Sequence, residues 1–171
     1  MSIRPLAWSD FEEFVELYYS RFEEVKTNPE LGVFTRERRP PWDEEALAFA
    51  RFMRSTEEGS MVANVAIEEG KLVGTCTVER KGNHVEDRHI GVLGIIVLRE
   101  WRGKGLGSQL MEATIQGCIG RFELLHLAVI EVNANAHALY QKFGFREHGR
   151  APRAFHRGDR YFDEILMTRI L

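Results

Sequence analysis

Residues Trp101 to Gly107 read WRGKGLG, between an apolar run, VLGIIVL, and a helical pattern. Glycines let a backbone approach an anion closely. A helix N-terminus offers unpaired N–H groups and about half a positive charge. Arg102 and Lys104 add cations and Ser108 a hydroxyl. The chemistry this offers is phosphate binding; from these residues alone, a turn with incidental cations reads equally well. Neither common phosphate motif accounts for it. No lysine follows glycine at the spacing a Walker A loop needs. Gly103, Gly105 and Gly107 are spaced by two throughout, not as G-x-G-x-x-G.

The elements that must hold this loop are legible from period. SIRP reads as a short strand, after which Ser9 or Asp10 can cap a helix rich in Glu12, Glu13, Glu16, Glu23 and Glu24. The stretch Thr27–Pro41 reads as a loop, and Asp43 opens an amphipathic helix, DEEALAFARFMRS. The period then becomes two. MVANVAIEE and LVGTCTVER flank a hairpin turn placed at Gly70-Lys71, and HIGVLGIIVL follows, which predicts an antiparallel meander. Gly105–Ile119 is helical, LLHLAVI a strand, and NAHALYQKF a short helix closed by Gly144. Two strands turning at RGD end the sequence. The order β-α-α-β-β-β-α-β-α-β-β is a mixed α/β layout, with parallel pairing expected where a helix joins two strands. The glycine loop sits at a strand-to-helix junction, where α/β sheets usually place ligands.

At 171 residues, 44% of them hydrophobic, a single domain over residues 1–171 is expected, burying about 70% of its unfolded surface without disulfide or metal. The formal net charge of −3 gives no basic field for nucleic acid. Cys76 and Cys118 lie far apart in apolar segments and are expected as reduced, buried thiols. The N-terminus has no apolar signal region and no run of 18 apolar residues occurs, so a cytoplasmic protein outside the membrane is expected.

A resemblance joins the pieces. Val97, Arg102, Gly105 and Gly107 fit V-x-x-x-x-[RQ]-x-x-G-x-[GA], which resembles the coenzyme A signature of the GNAT family of N-acetyltransferases. VIEVNANAHALYQKFGF matches a second family block through Val129, Asn133, Ala136, Tyr140, Gly144 and Phe145. GDRYFDEILM resembles the family's G-x-Y-x-D-x-x-x-M ending, with Gly158 one place early. The resemblance implies a mostly antiparallel mixed sheet with a β-α-β acetyl-CoA core and splayed strands. It implies backbone pairing of Ile95 and Val97 with the pantetheine arm. It implies a pyrophosphate held by N–H groups of Arg102, Gly103, Lys104, Gly105, Leu106, Gly107 and Ser108. Asn133 would bind the cofactor and Tyr140 would face its sulfur. On their own, Asn133 reads as a helix cap and Tyr140 as a core aromatic.

Acyl transfer to an amine needs a neutral nucleophile. An amine of pKa about 10.4 is almost wholly charged at pH 7, so a proton must be removed. The oxyanion needs a donor, for which the N–H of Ile95 or Ile96 serves, and the leaving thiolate needs an acid, for which Tyr140 serves. The run GVLGIIV holds no titratable side chain, so His126, Glu131, Asp163 or a water chain remain as the base. The acceptor is a small amine or a peptide or protein amine. The tail strand YFDEILMTRIL suggests a homodimer paired across a two-fold. A coenzyme A-binding regulatory or scaffold domain without catalysis is the alternative function.

Overall fold

The computed structural model describes residues 1–28 and 38–171. Most of the loop expected over Thr27–Pro41 therefore lies outside the described residues. The chain runs β1 (Ser2–Pro5), α1 (Phe11–Thr27), α2 (Trp42–Glu57), β2 (Met61–Glu68), β3 (Lys71–Arg80), β4 (Ile90–Val97), α3 (Leu106–Cys118), β5 (Leu124–Ile130), α4 (Ala134–Lys142), β6 (Arg146–Arg157) and β7 (Arg160–Ile170). This is the expected order, with single 3-10 turns added before α1, β4 and α3.

The strands form one sheet, β1-β2-β3-β4-β5-β7-β6, antiparallel except for β4 and β5. The meander β2-β3-β4 is as expected. α4 also joins two strands that run the same way, β5 and β6, yet these do not pair, because β7 returns between them. This placement corrects the motive for a dimer. The segment YFDEILMTRIL is an interior strand with both backbone edges used, so the free edge belongs to β6.

A hydrophobic layer covers each face. On one, Leu106, Leu110, Met111 and Ile115 of α3 and Tyr140 of α4 pack on Cys76, Val78, Leu93, Leu127 and Met167. On the other, Phe14 and Leu17 of α1 and Phe49 and Met53 of α2 cover Met61, Ala63, Val65 and Leu72. The buried polar groups at the α3 contact are satisfied. Asn64 donates to Thr114 (3.2 Å), Thr114 to the Cys76 carbonyl (3.4 Å), and Thr75 to the Asn64 carbonyl (3.0 Å). Cys76 and Cys118 are buried and unpaired.

Two local expectations shift. The hairpin turn is Glu69-Gly70, one residue early, since Lys71 already pairs with Glu68. Both turn residues have left-handed φ, 48° and 78°, as a two-residue turn matching strand twist requires. Asp10 stands at the start of α1 but does not cap it with its side chain. Its carboxylate faces back, taking the Ala7 N–H at 2.8 Å and a forked bond from Arg4 at 2.7 and 2.6 Å. No helix among the described residues is long and apolar enough to cross a membrane.

Candidate active site

The sheet opens where its one parallel pairing fails. β4 and β5 are bonded only through Ile90↔Leu124, Gly91↔Leu125 and Val92↔His126. Beyond that rung β4 follows β3 to Val97, while β5 follows β7 to Ile130, so a slot widens between them. The Lys81 N–H donates to Ile90 O and the Leu98 N–H to Val73 O. Even-numbered residues of β4 therefore turn their backbone groups to β3, and Leu93, Ile95 and Val97 turn theirs into the slot. Ile95 and Val97 have the parity needed to pair with an amide-bearing arm. Ile96 does not: its N–H is directed at β3, so of the two oxyanion donors considered only Ile95 faces the slot.

The glycine loop closes the wide end of the slot. Gly103 and Gly105 take left-handed φ of 73° and 83°, which a side chain would resist. The Arg102 N–H is used by Arg99 O (3.2 Å) and the Ser108 N–H by Gly105 O (3.1 Å). Among the described residues, the N–H groups from Gly103 to Gly107 enter no such backbone bond outside the helix. They are the donors that a helix start leaves for a ligand. A Cβ on Gly103 or Gly105 would meet nothing within 4 Å, whereas one on Gly107 would meet Leu139 Cδ2 at 3.2 Å. Gly107 thus serves the contact between α3 and α4. Of the loop's cations, Lys104 lies over the Trp101 ring at 4.8 Å, while Arg102 turns away to α1 and bonds Glu24. Lys142 Nζ donates to Ser108 Oγ at 3.3 Å, adding a cation from α4.

On the α3 face, Asn133 caps α4, its Oδ1 accepting the Ala136 N–H at 3.2 Å. Tyr140 is buried, 7% exposed, with its ring edge-on to Phe145. Burial, and then the nearby Cys76 thiol, push its phenol well above the ordinary tyrosine range. Burial also pushes the Cys76 and Cys118 thiols up to about 12, so neither is a thiolate at neutral pH.

Among the described residues, the opposite face of the fork is open. Leu93, Ile95 and Val97 pack on the α3 side and Ile96 on the α1–α2 side, so by alternation Val92 and Gly94 belong to the latter face. Among the described residues neither is covered there: Val92 is 41% exposed, and a Cβ at Gly94 would meet Thr77 Oγ1 at 3.7 Å and nothing nearer. The rung Glu79–Val92–His126–Thr168 crosses this face at the point of divergence. His126 is half-buried, its ring 5.7 Å from that of His148. Burial, followed by the charges of Lys81, His148 and His89, holds its pKa below the ordinary histidine value. The other two candidate bases are occupied by backbone. Glu131, just past the end of β5, accepts the Asp163 N–H of β7, and Asp163 accepts the Arg153 N–H in the bulged part of the β6–β7 pair, both at 2.9 Å.

Two site features escaped sequence reasoning. Glu24 was one carboxylate in an acidic helix, and its partner Arg102 stands 78 residues away, beyond any local signal. Gly91 lies where a side chain on β4 would enter the core: its Cβ would come within 2.4 Å of Val78 Cγ1.

Known proteins share this fold. The model of the acetyltransferase (GNAT) family matches residues 7–145. The L-amino acid N-acetyltransferase AaaT of Escherichia coli (strain K12) is 31% identical over 108 residues, covering 62% of this chain and 66% of that protein. A spermine/spermidine N(1)-acetyltransferase of Bacillus subtilis (strain 168) is 31% identical over 86 residues, covering 47% and 57%. The chain thus spans just under two thirds of the first relative's length and less of the second's. A GNAT acetyltransferase structure from Streptococcus pneumoniae superposes with a TM-score of 0.84 at 25% identity, over 99% of both chains. A putative acetyltransferase from Salmonella typhimurium, solved with its cofactor acetyl-CoA, gives 0.82 at 20% identity over 99% and 93%, and so a shared fold. With the family's model matched over most of its length, this chain belongs to the GNAT acetyltransferase family.

Proposed function

We propose that the protein is an N-acetyltransferase that moves the acetyl group of acetyl-CoA directly to the primary amine of a small molecule, within a ternary complex. The observation that carries this is the slot itself. A strand edge with the Ile95 amide groups and the Val97 N–H unpaired, the Val97 carbonyl being taken by Arg102, runs straight into a loop of unpaired N–H groups. An extended, amide-containing chain ending in a pyrophosphate fits that sequence of donors and acceptors. Gly103 and Gly105 leave the backbone bare where the phosphates must approach.

In this reading the amine enters from the open face beside Val92 and Gly94. Its nitrogen attacks the thioester carbon, a C–N bond forms and the C–S bond breaks. The Ile95 N–H meets the developing oxyanion. His126, neutral and at the fork, takes the proton of the amine, directly or through a water. Tyr140 donates a hydrogen bond to the departing sulfur. Direct transfer is favoured over an acyl-enzyme because both cysteines are buried as thiols. A small acceptor is in keeping with the relatives, which are named for L-amino acids and for spermine.

The test is release of free thiol from acetyl-CoA across a panel of amino acids, polyamines and lysine-bearing peptides, with calorimetry of coenzyme A binding alongside. Amine-dependent thiol release supports the reading. Tight coenzyme A binding with no release for any amine would point to a non-catalytic binding domain, and release confined to peptides would overturn the small acceptor.

A further inference from the structure

Arg102 is the cation that the sequence places at the mouth of the glycine loop, and its guanidinium is committed elsewhere. Nε donates to the Val97 carbonyl at 2.9 Å. Nη1 and Nη2 grip the two carboxylate oxygens of Glu24 at 2.5 and 2.7 Å. The Glu24 side chain is 11% exposed, so the pair is sheltered on the carboxylate side, where forked charge-assisted bonds are strongest. The three groups belong to three elements. Val97 ends β4 on its slot side, where no β5 residue pairs with it. Arg102 opens the loop, and Glu24 belongs to α1. Another cation, Arg21 of α1, lies near enough for the Arg102 charge to act on it; burial first, and that charge further, depress its pKa.

We infer that Arg102 is a positioning residue and not an anion ligand: paired with Glu24, it braces the open end of β4 and the first residue of the glycine loop against α1. The brace substitutes for the missing strand partner. It fixes where the loop begins, and therefore where the N–H groups of Gly103 to Gly107 point. It also ties the cofactor side of the molecule to α1, the helix that covers the opposite face of the sheet. The inference rests on reading the loop as a pyrophosphate seat.

A double-mutant cycle separates the two roles. Coenzyme A affinity is measured by calorimetry, at one fixed ionic strength, for wild type, Glu24→Gln, Arg102→Gln and the double variant, with melting temperatures recorded. A brace predicts that Glu24→Gln weakens binding about three- to tenfold, that Arg102→Gln does the same, and that the double variant is no worse than either. Arg102→Lys should behave like Arg102→Gln, because lysine keeps the charge but cannot span Val97 and Glu24 together. A guanidinium that bound phosphate would give the opposite pattern: Glu24→Gln neutral or tighter, and Arg102→Lys largely rescued. Either result overturns the brace, as does a fall in melting temperature with affinity unchanged. A wild type that does not bind coenzyme A would overturn the pyrophosphate seat, and the brace with it.

Discussion

Tyr140 meets two demands that pull apart. A phenol raised by burial stays protonated throughout the physiological range, the state a donor needs. The same shift makes full proton transfer to a thiolate, whose conjugate acid has a pKa near 8.5, uphill. In the proposed reaction its contribution is therefore a hydrogen bond to the sulfur as charge develops there, at the lower end of what general acids supply. Tyr140→Phe should lower kcat by about ten- to a hundredfold with the KM for acetyl-CoA within about twofold, and steady-state kinetics reads both. The ring remains against Phe145, so the melting temperature should hold. A full-rate but less stable variant would return Tyr140 to a packing role. His126 makes the complementary prediction. Its neutral form is favoured by burial and by Lys81, His148 and His89, and the rung also sets Glu79 on this face, two strands away. A depressed histidine pKa keeps the base unprotonated to lower pH. With a weakly basic acceptor, the acid limb of kcat/KM should therefore lie below about pH 6.5, and His126→Gln should abolish that limb. An unchanged profile would assign the proton to water.

The loop's glycines look alike in sequence and differ in what they do. Gly105→Ala places a methyl in open space but on a φ of 83°, a strain of about 1–2 kcal/mol carried by the loop itself. Gly107→Ala keeps an ordinary helical backbone and presses a methyl on Leu139 at 3.2 Å. The first should weaken coenzyme A binding more than it lowers the melting temperature, and the second the reverse. Calorimetry paired with thermal unfolding distinguishes them, and identical effects would deny the loop its special geometry. The element order was legible because the period changes from 3.6 to 2 and back, and glycine marks the turns. The spacing of Val97, Arg102, Gly105 and Gly107 likewise exposed the family. Strand neighbours were not legible. Nothing local in YFDEILMTRIL says that it returns between β5 and β6, since that is decided by which faces α3 and α4 must cover. The Arg102–Glu24 pair was hidden for the same reason: charge type is visible in a sequence, whereas a partner two helices away is not.

At the scale of the molecule, the sheet ends in two edge strands of different build. β6 carries Arg146, Arg150, Arg153 and Arg157, Pro152 and two register breaks, features that disfavour edge-to-edge association. β1 is short, and what fixes it is Asp10. That carboxylate is 5% exposed, bonded to Arg4 on β1 and to the Ala7 N–H at the entry to α1. It therefore holds the edge strand and the first helix at a fixed angle over the half of the core formed by Phe14, Leu17 and Phe49. Burial alone would raise the Asp10 pKa, but the Arg4 and Ala7 bonds outweigh it and the net value falls below the ordinary carboxylate range. A depressed folded-state pKa favours the fold wherever the unfolded carboxyl is ionised, above about pH 3.9, and that advantage fades as pH falls through the folded value. Asp10→Asn should cost about 1–2 kcal/mol at pH 7, less than a fully buried pair because Arg4 is 41% exposed. For a chain of this size that is a fall of roughly 2–8 °C in melting temperature. The gap between wild type and variant should then begin to narrow below about pH 4, where the unfolded carboxyl takes up its proton first, and go on narrowing until pH falls through the lower folded value and the native carboxyl releases Arg4. Thermal unfolding of both proteins from pH 7 to pH 3 measures it. A gap that stays constant to pH 3 would mean that the Asp10 contribution is shape and hydrogen bonding, not charge.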